Sequence, residues 1–290
     1  MIQSIVLYFF FITGLFGVVL EPSILRHDFV LYKELECFTP PYVVIYKNKL
    51  KELRFVAAFH GAGIQSPTFQ MIRKTIGLFQ PEVVIIEGIP SSLGLDSPLF
   101  IEIAQTHFSQ NFQQSGEAIY SIYLAHYNHF SFIGGEPDHS VIFKKCIELG
   151  YSSEDVLGFY LIRQVPQWRR EGKLSQPFER LAEELIKIYQ KQLKLPQYTT
   201  NSFYTWHLEK FKCFFDIEKI NEETTMPLKL GTFLQIISWE INIIRDKHLQ
   251  KIIEQNINQF DRVLVVYGRA HHIIHRAALE QYFGRGEFVK

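Results

Sequence analysis

The amino-acid sequence predicts an α/β fold: a mainly parallel central sheet flanked by helices, with a helical insertion forming a cap over the carboxyl ends of the strands. Three observations predict it. Short apolar runs recur at 53–59 (LRFVAAF), 83–86 (VVII) and 262–267 (RVLVVY), and such runs suit strands covered on both faces, as in a parallel sheet between helices. Helix start and stop signals alternate with them over the first half of the chain. From about 152 to 259 the pattern changes to long amphipathic stretches with several prolines and no strand periodicity.

In chain order, 42–46 (YVVIY) and 53–59 read as strands separated by the turn KNKLK. Ser66-Pro67 supplies a helix cap and a first helical proline, opening a helix to about 79 that Gln80-Pro81 stops. The strand at 83–86 ends at Glu87-Gly88 and completes a strand-helix-strand unit of the right-handed crossover kind. Residues 117–129 read as a helix, 130–133 as a short strand, and Gly134-Gly135-Glu136-Pro137 as the turn after it. Asp138 can cap a helix that Gly150 ends. Ser152-Ser153-Glu154-Asp155 resembles a helix start, and 228–258 is long enough for one extended helix. The sheet resumes at 262–267, followed by a turn through His271-His272 and a closing helix over 273–283.

Lysine plus arginine and aspartate plus glutamate both total 30, so no net field gathers phosphate backbones, and nucleic acid is excluded as an expected partner. Cys37, Cys146 and Cys213 stand far apart without a CxxC motif and read as buried small hydrophobes. Residues 5–20 are almost uninterruptedly apolar. Residues 1–20 therefore read as a secretory leader or N-terminal membrane anchor and 21–290 as one domain, which predicts export to a periplasmic, extracellular or membrane-attached location.

The candidate chemistry collects where strands end. His60-Gly61, Glu87-Gly88 and Gly134-Gly135-Glu136 each follow an apolar strand, and Gly268 with His271 follows another. Ligands bind outside the carboxyl ends of the strands in open α/β sheets, so these termini should face one crevice. Two imidazoles and two carboxylates can hold a divalent metal, or can act unaided as base, acid and orienting group. Arg245 lies on or near the apolar side of its helix, with Ile241, Ile244, Leu249 and Ile252 at helical spacing. It needs a carboxylate partner or a substrate oxyanion there; a surface ion pair with Glu240 or Asp246 is the bland alternative. His126, His129, His139, His272 and His275 rank behind these. GxSxG, HExxH, Walker and GxGxxG motifs are absent from the sequence.

The block AAFHGAGIQSPTFQMIRKTIGLFQPEVVIIEG resembles the opening of TraB/TIKI (GumN/PrgY-like) proteins, with a GxxH strand end, a helix and a strand ending in glutamate. FIGGEPD, INIIRDKHL and VLVVYGRAHHIIHRAALEQYFG are similar to the second glutamate block, the arginine-bearing helix and the second GxxH block, in family order across 55–283. Ala57 stands where the first GxxH motif has glycine. The resemblance extends to the wider superfamily of erythromycin esterase-like and ChaN-like haem-uptake proteins. It implies a metal-dependent hydrolase of peptide or small ester bonds, with manganese, cobalt or zinc, or a metal-free esterase. It further implies His60, Glu87, Glu136, Arg245 and His271 as the functional set, with His60, Glu87, Glu136 and His271 as metal ligands. A non-catalytic haem- or peptide-binding protein on the same scaffold is the alternative.

Overall fold

The computed structural model describes residues 18–27, 38–59, 63–112 and 116–289. His60, Cys37 and the first seventeen residues of the expected leader therefore lie outside the described residues. No described helix is long and apolar enough to cross a membrane.

Six strands form one sheet among the described residues: β1 (Tyr42–Lys47), β2 (Glu52–Ala58), β3 (Val83–Pro90), β4 (Ser131–Glu136), β5 (Arg262–Gly268) and β6 (Glu287–Val289), in the order β4-β3-β5-β2-β1-β6. The segment from β4 to β2 is parallel, while β1 pairs antiparallel with β2 and with β6. The sheet is thus mixed and mostly parallel. β5, the last of the long strands in sequence, inserts between β2 and β3, so the predicted crossover from β2 to β3 passes over an intervening strand. Both these neighbours are apolar on each face, which lets β5 bury both of its own.

Alternation along the strands sorts the core into two layers. Val84, Ile86, Leu264 and Val266 point to the face covered by α1 (Pro67–Phe79), α2 (Pro98–Ser109) and α3 (Glu117–Tyr127). Ile85, Val265 and Tyr267 point to the opposite face. There they meet α8 (Phe233–Gln259) through Leu249, Ile252, Ile253 and Ile257, and α9 (Arg269–Phe283) through Leu279 and Phe283.

The remaining helices, α4 (His139–Glu148), α5 (Ser153–Arg170), α6 (Phe178–Tyr189) and α7 (Thr200–Phe211), enclose a second apolar core with the first half of α8, through Leu234, Ile237 and Ile241. A reciprocal capping box at Ser152 and Asp155 starts α5 as the sequence indicates. The 27 residues of α8 span about 40 Å, enough to serve both cores. Its apolar positions change side midway, and Arg245-Asp246 stand at the changeover.

Three local expectations are corrected. Gly134, Gly135 and Glu136 are not a turn but the end of β4, because the two glycines admit a very close neighbour on each side. A side-chain carbon on Gly134 would lie 2.1 Å from the Ile89 carbonyl oxygen, and one on Gly135 would lie 2.2 Å from the Tyr267 hydroxyl. His271 and His272 occupy the first turn of α9, which starts at Arg269, so the predicted turn is absorbed into the helix. Cys146 is buried but Cys213 is exposed, against the expectation of burial for both. Helix α2 and strand β6 were not anticipated. Val18 and Leu20, at the end of the apolar leader stretch, are buried against α8, where Asn258, Glu254 and Gln250 satisfy their backbone groups.

Candidate functional site

Strand ends and one helix bring Glu87, Glu136, Arg245 and His271 together. Glu87 shares the α8-facing side of β3 with Ile85, and a β-bulge follows it, with Gly88 at φ 79° providing a backbone conformation that side chains resist. Its Oε2 accepts from the Gly268 amide at 2.7 Å, at the N-terminus of α9 where the helix dipole favours an anion. Oε1 accepts from Arg245 Nη2 at 3.0 Å and lies 3.4 Å from His271 Nε2. Glu136, delivered by β4, takes Arg245 side-on: Nε donates at 2.7 Å and Nη2 at 2.6 Å. A planar guanidinium suits such two-point contact with a carboxylate, and lysine cannot reproduce it. Burial opposes a charge on Glu136, but Arg245 outweighs it and holds the carboxyl below its usual range.

Behind this row stands Asp246, fully buried. One residue along a helix turns the side chain by about 100°, so while Arg245 faces the strand ends, Asp246 faces α9 and the segment at His27. It meets His271 Nδ1 at 2.5 Å, His27 Nε2 at 3.0 Å and His275 Nε2 at 3.5 Å. Burial opposes the aspartate charge, yet the attraction of His271 and the three imidazole contacts keep its carboxyl well below the usual range. His271 answers in kind: burial disfavours its charge, but Asp246 and then Glu87 raise it from 6.5 to about 10. At neutral pH it is an imidazolium. Carboxylate and cation therefore alternate from Asp246 through His271, Glu87 and Arg245 to Glu136, and each charge is offset by its neighbours.

Solvent reaches the row, with side-chain exposures of 14% at Arg245 and Glu87, 11% at Glu136 and 9% at His271. Tyr267, buried beneath it, packs edge-on to His271 at 5.3 Å. Burial, then the two glutamates, raise its hydroxyl far above the ordinary tyrosine range.

Of the four expected metal ligands, His60 lies outside the described residues, and Glu87, Glu136 and His271 are engaged with other protein groups. The glutamate oxygens accept N–H donors from Arg245 and Gly268, and His271 Nδ1 lies against Asp246. Among the described residues no group of three or more His, Cys, Asp or Glu side chains could hold a metal ion.

Four members of the predicted set thus converge, while His60 lies outside the described residues. Arg245 pairs with neither Glu240 nor Asp246. Its partners come from strands 158 and 109 residues away in sequence. Of the lesser candidates, His126 and His129 are exposed before β4 begins, at the opposite end of that strand from Glu136. His139 opens α4, where the Tyr189 hydroxyl lies 3.2 Å from Nε2. His272 is sealed between the hydroxyls of Tyr42 and Tyr46 at 3.0 and 2.8 Å, and burial pushes it down to about 3. Asp246, His27 and His275 are additions to the predicted set. The i, i+4 spacing of His271 and His275 was a usable signal for a shared partner.

No family model, curated protein or solved structure matches this chain.

Proposed function

We propose that the protein is a hydrolase of peptide or small ester bonds, acting through His60, Glu87, Glu136, Arg245 and His271. One observation carries this reading: Arg245 clamps carboxylates from two strands beside an imidazolium that a buried aspartate orients. Hydrolysis at a carbonyl needs a fixed donor where the oxyanion develops and a proton for the leaving group. Arg245 Nη1, which among the described residues bonds Asn242 alone at 3.4 Å, is the donor assigned to the oxyanion. His271 carries the proton. Glu87 and Glu136 fix both cations and cancel their charge until substrate arrives. His60 follows Ala58, the register partner of Gly268, by two residues in the chain and joins the set on the strength of the GxxH resemblance. The insertion helices, which share α8 with the site, are assigned the role of a cap that selects substrate and excludes water.

In the metal-dependent form of the reaction, with manganese, cobalt or zinc, a cation would compete with Arg245 for both glutamates; we therefore favour the metal-free form. Purified full-length protein should cleave peptide or ester probes equally well with and without EDTA. Arg245→Met and His271→Ala should each lose about 10²–10³-fold in turnover. Undiminished turnover in both variants would refute the assignment. Activity lost to EDTA and restored by one metal would return the metal-dependent form, and a Soret band on haem titration without turnover would favour the binding protein.

A further inference from the structure

We propose that Ser91 is the nucleophile of this site and His248 its general base, so that hydrolysis passes through an acyl-enzyme on the Ser91 oxygen. The proposal rests on the hydrolase reading and adds the attacking group to it. In the charge row no group is a ready base: His271 is already protonated, and the glutamate oxygens are engaged. Beside that row sits a pair with the complementary property. Ser91 Oγ lies 2.7 Å from His248 Nε2, and both residues are partly open to solvent.

Two backbone relations tie the pair to the site. Ser91 directly follows Pro90, the register partner of Glu136 at the end of β3, and His248 lies one helical turn beyond Arg245 on α8. Ser91 also begins a single helical turn, Ser91–Leu93, whose next residue is fastened to the start of α4 by a 2.7 Å hydrogen bond from Ser92 Oγ to Asp138. Burial lowers His248 below the usual histidine value and so favours the neutral ring, whose Nε2 can accept the serine proton. A hydroxyl hydrogen-bonded to a neutral imidazole is the geometry of an activated serine.

The step balances. His248 takes the proton as Ser91 Oγ forms its bond to the carbonyl carbon, the Arg245 guanidinium faces the oxyanion, and the leaving alcohol or amine departs with the proton from His271. Water then bonds to the acyl carbon as its proton passes to His271, and the oxygen–carbon bond to Ser91 breaks as Ser91 takes back the proton held by His248.

Rapid mixing of the full chain with p-nitrophenyl acetate tests this. The expected result is a burst of one nitrophenolate per protein, one acetyl group by intact mass, and its location on Ser91 by peptide mapping. Ser91→Ala should abolish burst and adduct, and His248→Gln should slow acylation about 10²–10⁴-fold. A hydrogen bond that merely fastens the turn to α8 would leave all three readouts unmoved. If Ser91→Ala turns over like wild type while Arg245→Met does not, the serine is refuted and the hydrolase reading stands. If the wild-type protein consumes neither ester nor peptide, both fall.

Discussion

Replacing Asp246 by asparagine removes one charge and almost no volume, and the structure gives the size of the consequence. Asp246 is fully buried and faces three imidazoles. The His271 value of about 10 against an ordinary 6.5 corresponds to about 5 kcal/mol of preference for the charged ring, most of it owed to Asp246. Breaking a buried ion pair from one side costs about 3–5 kcal/mol, so Asp246→Asn should lower stability by that order and Tm by roughly 6–15 °C. The pH profile carries a second signature. A histidine raised in the folded state stabilises fully below the unfolded value of 6.5 and loses that contribution as pH rises through about 10. Wild-type stability should therefore fall between those limits, and in Asp246→Asn this alkaline limb should flatten. Urea unfolding from pH 6 to 10, with an NMR titration of the His271 ring, measures both. A variant within about 0.5 kcal/mol of wild type, or a wild-type His271 found neutral at pH 7, would refute the reasoning.

His272 predicts the opposite limb. Held neutral with a value of about 3 between two tyrosine hydroxyls, it costs stability as pH falls from 6.5 toward 3, since the unfolded chain takes up the proton first. His272→Leu should make that acid limb shallower and cost about 2–4 kcal/mol at pH 7 by leaving Tyr42 and Tyr46 unpaired, as read by urea unfolding at pH 7 and 4.5; an unchanged slope would count against it. Gly135→Ala would set a methyl 2.2 Å from the Tyr267 hydroxyl and 2.8 Å from its ring carbons. It should destabilise by about 1–3 kcal/mol and disturb the Glu136–Arg245 contact, with partial recovery in Tyr267→Phe; a wild-type unfolding midpoint would show that the sheet yields there at no cost.

The parallel strands were legible in the sequence because each is apolar on both faces, a pattern that little else produces at that length. Antiparallel β6 was not: the short stretch EFV carries no periodicity, and pairing with β1 alone defines it. Gly134-Gly135-Glu136 read as a turn because glycine pairs commonly mark turns; what they admit instead, the Ile89 carbonyl and the Tyr267 ring, is contact between distant segments that no local signal encodes. At the site, strand ends announced Glu87, Glu136 and His271, since topology predicts where such ends point. Arg245 was legible as a buried cation in need of a partner. Asp246 was not, since a charged residue beside an arginine on a helix reads as surface, and only the packing of α9 and His27 around it turns it into the anchor of His271.

The continuity of α8 has a mechanical corollary. One unbroken rod begins in the insertion, ends under the sheet and carries Arg245 at its middle, so the two halves of the molecule are locked in phase. Adding a single residue before Arg245 would swing the upstream half about 100° relative to the downstream half, unseating either Leu234 and Ile237 or the guanidinium itself. Sequence drift in the insertion can thus change the length of loops, but not the count of residues along this axle.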